Sequence, residues 1–155
     1  ASFTSLTPAV INMNEAKMSE LNKATNRRFV EEALNPANFD LVDELFTEDF
    51  INHGAPPGVS PDRAGLKQHM AKVRAAFPDF HAKIDEMVAE GDLVIFYSSG
   101  FATHDGSLRG EAPTGKRIES ISFTMHRMRD GKIAERWYMA NHLEVMRAIG
   151  LPPAG

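Results

Sequence analysis

The sequence contains no cysteine, one tryptophan and two tyrosines among its 155 residues. The absence of thiols excludes disulfides, thiolate metal sites and a cysteine nucleophile. It indicates little about the compartment, because a chain without thiols tolerates any redox potential. No apolar run approaches the roughly 18 residues that a membrane-spanning helix needs. We therefore expect a protein that neither crosses a membrane nor depends on thiol chemistry.

Positive charge is also in short supply, since 17 Lys and Arg face 21 Asp and Glu and give a formal net charge of -4. The basic residues are scattered and form no stripe that could neutralise phosphates, so we expect no nucleic-acid partner. The first fourteen residues lack both a basic start and a long apolar stretch, which argues against an intact secretory signal and leaves a processed precursor open. We expect a cytoplasmic protein.

The remaining composition, 43% apolar and 25% charged, is that of an ordinary globular domain. The length fits one domain at 15–155, preceded by an N-terminal extension at 1–14. Up to Pro78, apolar spacings of three and four predict helices at 15–34, 38–46 and 61–77. Beyond Pro78, β-branched and aromatic residues between turn signals predict strands at 80–90, 92–104, 116–128 and 132–141. We predict an α+β fold in which three N-terminal helices pack on a curved antiparallel sheet.

The letters RDGK at 129–132 predict a two-residue hairpin turn, because Asp130 and Gly131 can both adopt the positive φ that this turn requires. Residues placed symmetrically about the turn then face each other on neighbouring strands. The side with the tryptophan is unusually polar, and its facing pairs are His126 with Glu135, Thr124 with Trp137, Ser122 with Met139, and Ser120 with Asn141.

This polar side has two interpretations. One face of an antiparallel sheet often lies against water, and the polar residues could serve only that purpose. The alternative is a concave pocket with a few convergent polar groups on apolar walls. Trp137 favours the pocket, because a tryptophan on a central strand lines a cavity more often than it lies exposed.

Six short motifs occur in a fixed order: AFPDF at 76–80, EGD at 90–92, TH at 103–104, APTGK at 112–116, RDGKIAERW at 129–137 and LEVMRAIG at 143–150. In order and spacing they resemble the SnoaL-like polyketide cyclases and ester cyclases, over about residues 20 to 151. The resemblance implies the cone-shaped α+β barrel first described in nuclear transport factor two, with a pocket between helices and sheet. It also implies a cofactor-free intramolecular aldol ring closure of an aromatic polyketide ester.

The resemblance further implies a catalytic aspartate in the pattern W-x-x-x-D, with a histidine nearby. Here that pattern starts at Trp137 and ends at Asn141. A carboxamide cannot accept and return a proton at neutral pH, although it can donate a hydrogen bond to a ligand carbonyl. Three hypotheses stay open: another group transfers the proton, the chemistry differs, or the protein binds without turnover.

Three histidines are candidates for the site. His126 is the best replacement base, because a facing Glu135 would fix its tautomer and raise its basicity; the alternative is a surface ion pair of little effect. His53 follows a short apolar stretch at a position that the family often fills with a pocket histidine, and otherwise it caps a turn. His104 matches the TH motif of the family, although a histidine at a strand end is more often structural. The predicted substrate contacts are Trp137, His104, Thr124, Ser122 and Met139.

We predict no metal and no cofactor. His53, His104 and His126 could in principle meet around zinc or iron, but no local ligand spacing supports such a site, and the chain has no glycine-rich dinucleotide fingerprint. The expected partner is a small hydrophobic carbonyl compound, which the protein would cyclise, isomerise, hydrate or cleave. The alternative is a binding or oligomerisation domain without turnover. Because this fold commonly dimerises through a sheet face, we expect a homodimer or homotetramer.

Overall fold

The structure, a computed structural model, describes residues 8–152, with side chains from residue 12 onward. Its helices are α1 (Pro8–Arg28), α2 (Val42–Leu45), α3 (Arg63–Ala76) and α4 (His142–Ile149). A π-helical turn at Phe29–Leu34 continues α1, and a 3-10 turn at Phe39–Leu41 leads into α2. The strands are β1 (Phe46–Asn52), β2 (His81–Glu90), β3 (Leu93–Thr103), β4 (Arg117–Arg129) and β5 (Lys132–Ala140).

The five strands form one sheet in the order β1-β5-β4-β3-β2. β1 pairs with β5 in parallel, and every other pair is antiparallel. The predicted α+β class is therefore confirmed, with a curved, open sheet that is mixed at one edge and a fourth helix after the last strand. Part of the predicted extension belongs to α1, and residues 1–7 of it lie outside the described residues.

The hydrophobic core has two clusters on the inner face of the sheet. The larger one joins the π-helical turn to the sheet through Phe29, Phe46, Val94, Phe96 and Ile133. The smaller one packs α4 against the ends of β3 and β4, and it contains Phe77, Ala102, Ile118, Val145 and Ile149. The helices thus cover one face of the sheet, since their apolar stripes have to be buried against another layer.

The hairpin between β4 and β5 has the predicted turn, with φ of 52° at Asp130 and 76° at Gly131. The predicted register beyond it is wrong. Met128 pairs with Ile133, but the next pair is Arg127 with Glu135, because Ala134 forms a bulge. An extra residue in one strand exchanges the two faces for every residue that follows it.

Two consequences of the bulge concern the site. His126 pairs with Arg136 and Thr124 with Tyr138, so Arg136 and Tyr138 lie on the inner face, beneath the helices. Glu135, predicted opposite His126, lies on the outer face.

None of the helices between residues 8 and 152 combines the length and the apolar character that a membrane crossing requires.

Candidate functional site

A cavity of about 1070 Å³ lies between the inner face of the sheet and the helices. Members of both core clusters line it, so its walls are largely apolar; they include Phe29, Leu66, Phe77, Phe96, Ile118 and Val145. Polar groups come mainly from β3, β4 and β5, together with the start of α4 and one turn of α3. A concave apolar cavity with a few convergent polar groups is the usual form of a small-molecule site.

The charged side chains around the cavity are all basic: Lys72, Arg74, Arg109 and Arg136. No aspartate or glutamate from residues 8–152 lines it. This contrasts with the net charge of -4 for the whole chain. The cavity is therefore a positive environment in an acidic protein, and it favours negative charge on a ligand.

Arg136 is the most unusual of these cations. Its guanidinium lies over the Tyr138 ring, with 4.3 Å from Cζ to the ring centre, and its Nε has no hydrogen-bond partner. No carboxylate within residues 12–152 lies within ion-pair distance of it. Burial lowers the pKa of Arg136, because the cation loses water without gaining a counter-charge.

The end of β1 and the residues that follow it lie against β5 and position Arg136. The backbone of β1 continues beside β5, where the His53 N–H donates to the Arg136 carbonyl at 2.8 Å. Gly54 then passes so close that a Cβ there would lie 3.2 Å from the Tyr138 nitrogen. A larger residue at Gly54 would push the loop away from β5, so glycine holds the cavity wall around Arg136 and Tyr138 in place.

Two histidines stand at the same end of the cavity. His69 comes from α3 and is partly buried, and His142 begins α4 with an exposed side chain whose ring centre lies 6.0 Å from that of Tyr138. Burial lowers the pKa of His69, and the charges of Arg136, His142 and Lys72 lower it further. Neighbouring protein also desolvates His142 enough to lower its pKa. Both imidazoles are thus favoured in the neutral form, which can accept a proton.

A row of hydroxyl groups forms the floor of the cavity. The Oγ atoms of Ser98 and Ser122 lie 2.8 Å apart on the paired strands β3 and β4. Ser120 and Thr124 stand two residues before and after Ser122 on the same face, about 7 Å away along the strand. Ser122 and Thr124, both predicted to contact substrate, therefore do line the cavity.

His126, the predicted base, is fully buried and does not line the cavity. Its Nδ1 lies 2.5 Å from Oδ1 of Asn26, and the rings of Phe29, Phe46 and Phe96 surround it at 5.7 to 6.1 Å. Burial holds the pKa of His126 well below its usual value. The predicted pairing with Glu135 is wrong, since the two side chains lie on opposite faces of the sheet.

Glu135 and His53 form a different pair, on the outer face. Nε2 of His53 lies 2.9 Å from Oε1 of Glu135, and the His53 ring stacks on Trp137 with ring centres 4.4 Å apart. Arg127 contacts the second oxygen of Glu135 at 3.0 Å. Met139 is also on this face and is 77% exposed. Glu135, His53, Trp137 and Met139 are all absent from the cavity wall, contrary to their predicted roles there.

Asn141 and His104 have structural contacts. Oδ1 of Asn141 accepts from the Ile121 N–H at 2.9 Å, which ties the end of β5 to β4. His104 is completely buried, and its Nδ1 accepts from the Thr114 N–H at 3.2 Å. Neither side chain lines the cavity. Within residues 12–152, no group of three or more His, Asp or Glu side chains is placed to hold a metal.

The family model for SnoaL-like polyketide cyclase matches residues 24–149 of the chain. The chain belongs to this family. Among solved structures it is similar to IdmH of Streptomyces antibioticus, a proposed polyketide cyclase, with 29% identity, a TM-score of 0.74 and coverage of 84% of this chain and 99% of that one. No sequence among the curated proteins matches it.

Two further solved structures are also similar. AclR of Streptomyces galilaeus, a proposed hydroxylase, has 26% identity and a TM-score of 0.76, with 91% of this chain and 85% of that one covered. A proposed SnoaL-like polyketide cyclase from Jannaschia sp. has 22% identity and a TM-score of 0.79, with 97% and 100% covered, which supports the fold alone. Structures of one shape thus carry different proposed chemistries, so the reaction has to be argued from the residues of this cavity.

Four cavity residues were missed as site candidates: His69, Arg136, Tyr138 and His142. The alternation of β5 assigns Arg136 and Tyr138 to the wrong face unless the bulge is known. The adjacent apolar residues Ile133 and Ala134, followed by the adjacent charged residues Glu135 and Arg136, break the alternation of a regular strand and were the available signal. For this SnoaL-like chain, the polar centre of the cavity lies on β5, α3 and α4 rather than at the position of Asn141.

Proposed function

We propose that the protein is a cofactor-independent acid/base enzyme of the SnoaL-like cyclase type, acting on a small hydrophobic carbonyl compound in this cavity. One observation carries the proposal. At one end of an apolar cavity, two imidazoles that favour the neutral form, His69 and His142, lie near Arg136, whose positive charge has no carboxylate partner within residues 12–152. One group can take a proton while the other stabilises the charge that results.

The proposed reaction is an intramolecular aldol ring closure. A proton between two carbonyls is already acidic, so an imidazole of modest basicity is sufficient, and we assign this step to His69. Hydroxyl donors on the cavity floor, Ser98, Ser120 and Ser122, bind the enolate oxygen, and the nearby positive charge of Arg136 stabilises the negative charge that develops on the substrate. The enolate carbon forms a bond to a second carbonyl carbon, and the oxygen of that carbonyl takes the proton back from the imidazolium. His142, at the solvent-exposed rim, exchanges protons with water.

The hydroxyl row gives a reason for regioselectivity. Ser98, Ser120, Ser122 and Thr124 offer donors and acceptors along one wall, and the opposite wall is aromatic and aliphatic. A flat substrate with several carbonyls can be held in one folded conformation by these contacts, which brings the reacting carbons together. Holding the substrate in this way can supply several powers of ten in rate without any change in chemistry.

The test is ring closure of a methyl ester model substrate that carries a 1,3-dicarbonyl group and a second ketone, followed by chromatography of the product. We expect His69→Gln and Arg136→Gln to lower kcat/KM by about 10²- to 10⁴-fold. His81→Gln is the matched control, because His81 is exposed on β2 and does not line the cavity. Equal rates for all variants would contradict the proposal.

The second candidate function is binding without turnover, which is favoured because no carboxylate of the described residues lies in the cavity wall. A ligand that raises the melting temperature but is recovered unchanged would support this candidate, because binding stabilises the native state whether or not the ligand reacts. The same ligand should lose its stabilising effect when Arg136 or Tyr138 is replaced.

A further inference from the structure

The cations around the cavity differ in what satisfies them. Arg74 donates to the carbonyls of Leu34, Asn35, Pro78 and Phe80 at 2.6 to 3.0 Å, and it therefore joins loops as a structural residue. Arg109 donates to the Pro152 carbonyl at 2.9 Å, and Lys72 is exposed to water. These three side chains have partners or solvent, so none of them requires a ligand.

Arg136 is compensated less completely than these three side chains. Its side chain is partly buried in the centre of the sheet, and within residues 12–152 it has no ion-pair partner and an unpaired Nε. A wall with only a structural role does not need a charge here, because replacing a buried charge by an apolar group of similar size often stabilises a protein. An arginine that is left without a counter-charge in a ligand-sized cavity is suited to a charge that arrives with the ligand.

The groups near Arg136 fit a carboxylate. A guanidinium can donate two parallel hydrogen bonds to the two oxygens of one carboxylate, and the neighbouring Tyr138 hydroxyl offers a further donor. Among the side chains described from residue 12 to 152, no acidic one lines the cavity to compete for these donors or to repel an anion. The hydroxyls of Ser98 and Ser122 lie farther along the floor, where they can bind oxygens on the body of the same molecule.

We propose that the substrate is a carboxylic acid: a flat, oxygenated hydrophobic molecule whose ionised carboxylate binds Arg136 and Tyr138. The inference rests on the proposed function in one respect, since it takes the same cavity as the substrate site. It departs from the ester substrate that the family resemblance implies. A methyl ester offers only neutral oxygens, so it would leave the positive charge of Arg136 without a full counter-charge.

The test compares two probes that differ only in this charge, anthraquinone-2-carboxylate and its methyl ester, by isothermal titration calorimetry at pH 7.5. We expect the wild-type protein to bind the acid at least about tenfold more tightly than the ester, because hydrogen bonds between charged groups are about twice as strong as neutral ones. Arg136→Gln should remove the preference, and Arg136→Lys should keep part of it.

The matched control is Arg127→Gln, which removes the same charge from the outer face of β4, away from the cavity. This variant should keep the full preference for the acid. A wild-type protein that binds the ester as tightly as the acid overturns the inference, whatever the variants do. A preference that survives in folded Arg136→Gln, or disappears in Arg127→Gln, also overturns it. If Arg136→Gln does not fold, the salt dependence of binding to the wild-type protein replaces it. Added salt should then weaken binding of the acid but not of the ester, and equal salt dependence of the two probes would overturn the inference.

Turnover separates this inference from the proposed function. Preference for the acid without conversion of any substrate would uphold the anion site and contradict the enzyme. Conversion of a neutral ester by a protein without preference for the acid would uphold the enzyme and contradict the anion site.

Discussion

Nδ1 of His126 lies 2.5 Å from Oδ1 of Asn26, which joins β4 to α1 through a fully buried hydrogen bond. The Asn26 amide nitrogen in turn donates to the Asn22 carbonyl at 2.8 Å. Burial favours the neutral form of His126, and since Nδ1 donates to the Asn26 oxygen, the lone pair lies on Nε2, which has no hydrogen-bond partner within residues 12–152. The pair fixes where α1 lies on the sheet, and it does so with a histidine that cannot easily take up a proton.

The first prediction concerns acid stability. Burial holds the folded-state pKa of His126 well below 6.5, so between that value and 6.5 the unfolded chain binds a proton that the folded chain does not. Stability is therefore complete above about pH 6.5 and falls as the pH decreases, by about 1.4 kcal/mol per pH unit for one such histidine. Urea unfolding at pH 5.0 to 7.5 measures this slope.

His126→Gln should reduce the slope by about one proton, even if it lowers stability at neutral pH. His81→Gln, which removes an exposed histidine, is the control and should leave the slope as in the wild-type protein. An unchanged slope in His126→Gln would show that other groups, such as His69 and His142, account for the acid sensitivity.

The second prediction concerns Asn141, where the family motif has an aspartate. The side chain links the end of β5 to β4 by accepting from the Ile121 N–H, and it is absent from the cavity wall. Asn141→Asp keeps that acceptor and adds a negative charge next to the start of α4, which the helix dipole favours by about 0.3 to 1 kcal/mol. We expect Asn141→Asp to be as stable as the wild-type protein and unchanged in activity.

Asn141→Ala is the informative comparison, because it removes the hydrogen bond and should cost about 1 kcal/mol in the free energy of unfolding. A gain of cyclisation activity in Asn141→Asp would contradict the placement of the catalytic centre around Arg136. It would instead support a proton-transfer role for position 141, as the family motif implies.

The third prediction concerns the outer face of the sheet, which we propose as the interface of a homodimer or homotetramer. Phe123 and Met139 are paired on neighbouring strands and are 59% and 77% exposed, and Val88 on β2 is 65% exposed. Such an apolar sheet face is characteristic of an interaction surface. We expect Phe123→Glu to give a monomer in sedimentation velocity at micromolar concentration.

Met18→Glu is the matched control, since Met18 is 49% exposed on α1 and lies on another part of the surface. This variant should sediment like the wild-type protein. A wild-type protein that stays monomeric at about 100 µM would contradict the proposed interface, because stable dimers with large apolar interfaces persist well below that concentration.

The division into helices before Pro78 and strands after it could be predicted because it depends on local spacing and turn residues. The turn at Asp130 and Gly131 is likewise local, since it needs only two residues that tolerate positive φ. The bulge at Ala134 depends on longer-range contacts. β5 also pairs with β1 in parallel on its other edge, so the strand is constrained from both sides by residues far apart in the sequence.

Because the bulge at Ala134 was not predicted, the site residues on β5 were assigned to the wrong face of the sheet. Glu135, Trp137 and Met139 lie on the outer face, and Arg136 and Tyr138 lie in the cavity wall. Ser122 and Thr124 line the cavity because they precede the turn, where the alternation is regular, and their contact with substrate stays a prediction. His69 and His142 could not be grouped from the sequence, since α3 and α4 meet the sheet only through tertiary packing.

The last prediction concerns the pH dependence of catalysis. If His69 is the base, the enzyme needs its neutral form, and activity should fall as the pH decreases through the pKa of His69. Burial lowers that pKa, with further lowering by the charges of Arg136, His142 and Lys72. The acidic limb of kcat/KM should therefore have its midpoint below 6.5, the usual value for histidine.

Arg136→Gln should raise the midpoint, because it removes one of the charges that oppose protonation, and Arg127→Gln on the outer face should leave it in place. His69→Gln should abolish the limb together with most of the rate, and a limb that persists in this variant would assign the base to His142.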